Sequence, residues 1–90
     1  MEKETLERLK EYVGKEIEVE VIEYQELKIV SGILEEIVND FLVKIEGKMI
    51  PFEGFGIYIK RIKVKCTEKV LYERNVSFQS YYEIFQTLTV

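Results

Sequence analysis

The sequence predicts a mainly β fold: a small, strongly bent, five-stranded antiparallel barrel with an N-terminal helix and a C-terminal extension. Three observations carry this. A 3.6-residue apolar period near the start gives way to strict two-residue alternation at Glu16. Turn residues then recur at short intervals, at Asn39-Asp40, Glu46-Gly47-Lys48 and Glu53-Gly54-Phe55-Gly56. A glycine, Gly32, interrupts the longest apolar segment, as at a bulge or sharp bend. Ninety residues make a single domain, divided into a helix over 3–13, a barrel over 15–67 and an extension over 68–90.

Leu6, Leu9 and Val13 fall on one face of the helix. Glu2 and Glu4 favour its first turn through the helix dipole. Glu4–Arg8 and Glu7–Lys10 are spaced to pair across turns, and Gly14 supplies a left-handed stop. In Glu16–Val21 the alternation sends Ile17, Val19 and Val21 inward and three carboxylates outward. Those carboxylates lie about 7 Å apart along one strand, a solvated face rather than a catalytic or cation site.

A second strand over 27–37 is broken at Ser31-Gly32, and Asn39-Asp40 turns it into a third, Phe41–Ile45. The fourth strand, Met49–Phe52, contains Pro51, which belongs on an edge or faces away from its partner. In the last strand the inward residues are odd-numbered at Ile57 and Ile59 but even-numbered at Ile62, Val64 and Cys66. The switch requires a bulge at Lys60-Arg61. Past it, Arg61, Lys63 and Lys65 share the outer face and stand opposite Glu16, Glu18 and Glu20 if the first and last strands pair. Phe78, Tyr81, Tyr82, Phe85 and Leu88 follow a helical period behind Ser77, against a β-branched and aromatic content that favours a strand. That apolar surface packs on the sheet or meets another subunit.

Composition narrows the function. With no histidine and one cysteine, His-based catalysis, an internal disulfide and a multi-cysteine metal cage are excluded. Glu35-Glu36 and the first-strand glutamates match no metal-ligand pattern. The expectation is a non-enzymatic domain without a cofactor. The longest apolar runs are three residues, far short of a membrane span, and no secretion signal opens the chain, which points to a soluble, cytoplasmic protein. Abundant Glu, Lys and Ile without alanine lean thermophilic.

The net charge of −4 is unevenly spread: −5 over 1–26, −2 over 27–56, +4 over 57–74 and −1 over 75–90. The basic stretch is either a phosphate footprint or the partner of the acidic strand. Overall acidity argues against duplex DNA.

Three segments together resemble the Sm-like (LSm) family. They are Val13-Gly14-Lys15-Glu16-Ile17-Glu18-Val19, Val30-Ser31-Gly32-Ile33-Leu34-Glu35-Glu36-Ile37 and Phe52-Glu53-Gly54-Phe55-Gly56-Ile57-Tyr58-Ile59. The resemblance covers residues 3–62, and other small SH3-like barrels share its layout. It implies a helix followed by a bent five-stranded barrel, homo-oligomeric rings built by adding the fourth strand to a neighbour's fifth, and single-stranded RNA as partner. The RNA-binding members carry an aspartate six residues and an asparagine ten residues after the strand-two glycine, where this chain has Val38 and Leu42. Glu53 stands where the family has a basic residue. The fold signature is therefore present and the uridine-pocket signature is not.

The candidate nucleic-acid residues are Asn39, Asp40, Phe41, Phe55, Lys63 and Lys65. In the resemblance, the Asn39–Phe41 loop would stack a base on an aromatic ring; otherwise Asn39-Asp40 only turns the chain and Phe41 is core. Phe55, between two glycines, is either presented outward or plugs the barrel end. Cys66 is flanked by lysines that would activate a thiol, but its place in the inward set makes it structural. Two functions follow: an RNA-associated Sm-like module, or a protein-interaction and assembly module of the same fold that binds no nucleic acid.

Overall fold

The computed structural model describes residues 2–74. A helix, α1 (Lys3–Lys10), precedes six strands: β1 (Glu16–Glu23), β2 (Glu26–Val38), β3 (Leu42–Ile45), β4 (Lys48–Pro51), β5 (Ile57–Val64) and β6 (Val70–Glu73). All neighbours are antiparallel, in one sheet of order β4-β3-β2-β1-β5-β6.

α1 is shorter than the apolar period suggests. After Lys10 the backbone tightens, Tyr12 N–H donating to the Leu9 carbonyl and Val13 N–H to that of Lys10. Val13 consequently leaves the buried face and is exposed, whereas Leu9 is fully buried. The i,i+3 and i,i+4 ion pairs expected along the helix do not form; no salt bridge involves Glu4, Arg8, Glu7 or Lys10 among the described residues. Gly14, at φ +92°, ends the segment as expected. Its N–H donates to the Leu34 carbonyl at 2.8 Å, and Leu34 N–H donates to Lys15 at 3.0 Å. These two bonds tie the helix end to the middle of β2.

The alternation in β1 does as predicted: Ile17, Val19 and Val21 join the core while Glu16, Glu18 and Glu20 face outward. β2 pairs with β1 up to Ile33 and with β3 from Leu34. Gly32 lies at the change of partner, buried opposite Ile17. A Cβ there would stand 2.7 Å from Cδ of Glu46, and the Glu46 carboxylate accepts the Ile33 N–H at 3.3 Å. The bend is thus a hollow filled by a side chain from the β3–β4 turn.

Pro51 sits on the edge strand β4. Phe52 N–H donates to the Phe41 carbonyl at 2.8 Å. By antiparallel alternation the nitrogen of Pro51 then faces away from β3, and no ladder bond is lost. The predicted bulge is also present: Glu20 pairs with Arg61 and Val21 with Ile59, leaving Lys60 as the extra residue. Ile59 and Ile62 are accordingly both fully buried.

Two differences concern the architecture. Among the described residues there are six strands rather than five, because Val70–Glu73, expected within the C-terminal extension, pairs with Arg61–Lys63. The sheet also does not close. Beyond β4, Ile59 N–H reaches the Phe52 carbonyl at 3.1 Å and Glu53 bridges Tyr58. The remainder of that β5 edge is taken by β6, with Arg74 N–H on the Lys60 carbonyl and Val64 N–H on that of Lys69. β6 occupies the edge that full closure against β4 would use. It is anchored by Leu71, 2% exposed, and by Tyr72, whose ring meets Phe52 edge-on at 5.2 Å. Cys66, expected inward, instead lies exposed in the β5–β6 turn at φ +64°. The C-terminal helix expected over 77–88 lies outside the described residues.

Candidate functional site

The predicted site residues separate into two groups. Lys63 and Lys65 lie on the outer face of the sheet, and each is ion-paired. Lys63 Nζ is 3.7 Å from Glu18, Lys65 Nζ 3.3 Å from Glu16, and Arg61 bridges Glu20 at 3.3 Å and Glu73 at 3.4 Å. Cross-strand register produces this ladder, since Glu18 pairs with Lys63 and Glu20 with Arg61. The basic stretch is the partner of the acidic strand. A cross-strand pair of this kind contributes about 0.2–1 kcal/mol, more where it is half-buried as at Arg61–Glu20, and together they fix the register and occupy the cations.

The second group lies on turns: Asn39, Asp40 and Phe41 between β2 and β3, and Phe55 between β4 and β5. Asn39, at φ +51°, opens the three-residue turn between the paired residues Val38 and Leu42. β3 begins at Leu42, so Phe41 leaves the ladder and is 66% exposed. It is not the core residue that its apolar neighbours suggest. Phe55 is fully exposed at the tip of the β4–β5 turn, presented outward rather than plugging the sheet.

A third ring joins them that the sequence did not single out. Tyr24 and Gln25, at φ +48° and +71°, form the two-residue β1–β2 turn, a primed geometry that normally selects Asn-Gly. Tyr24 is 73% exposed, and its ring lies over Gly56, Cε1 only 2.7 Å from where a Cβ would be. That contact, with φ +79°, explains the glycine. The only sequence signal for Tyr24 was the polar stretch Glu23–Glu26 between two apolar strands.

Backbone bonds hold the three turns together. Tyr24 N–H donates to the Gly56 carbonyl and Phe52 N–H to the Phe41 carbonyl, both at 2.8 Å. Gly54 N–H closes the central turn onto Ile57 at 2.7 Å. Three exposed aromatic side chains thus stand on turns whose backbones are fixed. Their surroundings are acidic: Glu23, Glu26, Asp40 and Glu53 belong to these turns or their margins, and Lys28 and Arg74 pair with Glu23 and Glu53 from outside them. No group of three or more metal-ligating side chains occurs among the described residues. No described helix is long and apolar enough to cross a membrane. Comparison with protein-family models, curated proteins and solved structures finds no match to this chain.

Proposed function

We propose that this chain is a protein-association module built on an Sm-like, SH3-like barrel that β6 holds open, and that it docks through its aromatic turn end rather than through phosphate contacts. The observation that carries this is the ion-pair ladder. Cations spent on Glu16, Glu18 and Glu20 are not available to release counterions from a nucleic-acid backbone. The occupied β5 edge further supports association by a route other than strand addition to β5. Burying an aromatic ring such as Phe55 stabilises a contact by about 1.5–3 kcal/mol.

A second reading, single-stranded RNA binding by a homo-oligomer, is favoured by one observation. Exposed rings on fixed turns are also stacking platforms for bases. Titrating labelled uridine-rich and mixed single-stranded RNA at about 50 mM salt, beside native mass measurement over a concentration series, separates the two. Association without nucleic acid predicts no salt-dependent RNA binding and an assembled species that Phe55→Ser depletes without changing stability. Micromolar binding that weakens steeply with salt would transfer the proposal to RNA. A monomer at every concentration would remove self-assembly.

A further inference from the structure

Docking onto the turn end covers carboxylates as well as rings. The stretches 23–26, 39–41 and 53–56 carry four acidic residues and neither lysine nor arginine. Lys28 reaches Glu23 at 3.3 Å and Arg74 reaches Glu53 at 3.6 Å from outside them. Glu26 and Asp40 are exposed and have no ion pair among the described residues. A partner covering Tyr24, Phe41 and Phe55 with apolar surface alone would strip water from these carboxylates and leave them uncompensated, which is costly. An anionic partner would add repulsion. Both demands are met by a partner that brings cations beside its apolar contacts.

We infer that the turn end receives an arginine-bearing segment of a partner protein. This rests on the reading of that end as a docking surface and specifies what docks there. The margin of the surface already holds one guanidinium in the required way. Arg74 lies 4.2 Å from the centroid of the Tyr58 ring while its Nη1 is 3.6 Å from Glu53 Oε1, and Glu53 and Tyr58 face each other across the β4–β5 turn. A ring face beside a carboxylate is thus a combination this surface uses for a planar cation. Each exposed ring lies within two residues of a carboxylate: Tyr24 of Glu23 and Glu26, Phe41 of Asp40, and Phe55 of Glu53.

Arginine suits such pairs better than lysine. Its flat, weakly hydrated guanidinium stacks on a ring and still donates to a carboxylate from its edge. A second copy of this chain offers little of this chemistry. Of its three arginines, Arg61 is held by Glu20 and Glu73 and Arg74 by Glu53. Arg8 on α1 remains, a single guanidinium next to Glu7, too little for three rings and their carboxylates.

The test titrates the isotope-labelled full chain with short peptides in which glycine alternates with arginine, lysine, leucine or glutamate, in about 50 mM salt. The arginine peptide is expected to shift the amide resonances of Tyr24, Gln25, Asp40, Phe41, Phe55 and Gly56. It should bind about two- to fivefold more tightly than the lysine peptide. Glu26→Gln/Asp40→Asn should weaken it about threefold or more, and Phe55→Ser about twofold or more. Glu4→Gln/Glu7→Gln, the same change of charge on α1, should leave it unaltered. All five positions are exposed save for the spectra themselves to report the fold of each variant. No shift at these turns, equal affinity for the leucine or glutamate peptide, or equal losses in the two double variants would each overturn the inference. Depletion of the assembled species by Phe55→Ser is read separately, so the docking surface can stand where this assignment of its partner falls.

Discussion

Gly56→Ala perturbs the candidate site and the fold at one point, and its effect can be worked out from the geometry. The residue sits at φ +79°, where an L-residue costs roughly 1–2 kcal/mol. The new Cβ would also stand 2.7 Å from Tyr24 Cε1. Tyr24 is 73% exposed, so its ring can swing into water, and the backbone cost dominates. The expected loss is therefore about 1–2 kcal/mol, or roughly 4–16 °C in Tm for a domain of this size. Urea unfolding followed by circular dichroism measures it. In a Tyr24→Ala background the same substitution should cost the same within about 0.5 kcal/mol. A loss below about 0.5 kcal/mol, or one that vanishes when Tyr24 is truncated, would refute the assignment of the cost to the backbone.

Leu71→Ala should lose about 2–5 kcal/mol and, by loosening β6 and baring the β5 edge, raise self-association in light scattering. Arg61→Met should cost about 1–3 kcal/mol by leaving the shielded Glu20 carboxylate without its cation, and Glu20→Gln in the same chain should recover part of it in chemical denaturation. Burial raises the pKa of Tyr72 above 10.0, with Glu53 adding to the rise and Arg74 opposing it. The neutral phenol is favoured in the folded state. Its stabilisation is therefore complete below pH 10 and falls as pH rises from there through the folded-state value. Tyr72→Phe should flatten that alkaline decline in unfolding midpoints measured across this range.

Where one face of an element is buried, the residues declare it. The alternation of β1, the odd-to-even switch across Lys60-Arg61 and the glycine at the β2 bend all correspond to observed register and burial, because a two-residue period leaves few other solutions. The pairing of Arg61, Lys63 and Lys65 with Glu20, Glu18 and Glu16 followed from the same periodicity. What escaped were features set by tertiary context. β6 is four residues flanked by charge, too short to display a period, and only its place on the β5 edge makes it a strand. For Phe41 and Phe55 the sequence leaves core and outward placement open; turns stitched together by backbone bonds turn them outward. Tyr24 in a primed turn had no glycine or asparagine to announce it.

The carboxylate of Glu46 resting in the hollow at Gly32 has a consequence for the bend. The curl of β2 is completed by a residue that lies beyond the following strand. The 42–51 hairpin delivers its turn to the inside of the crook. Glu46→Ala should accordingly loosen the bend, seen as faster amide exchange at Ile33.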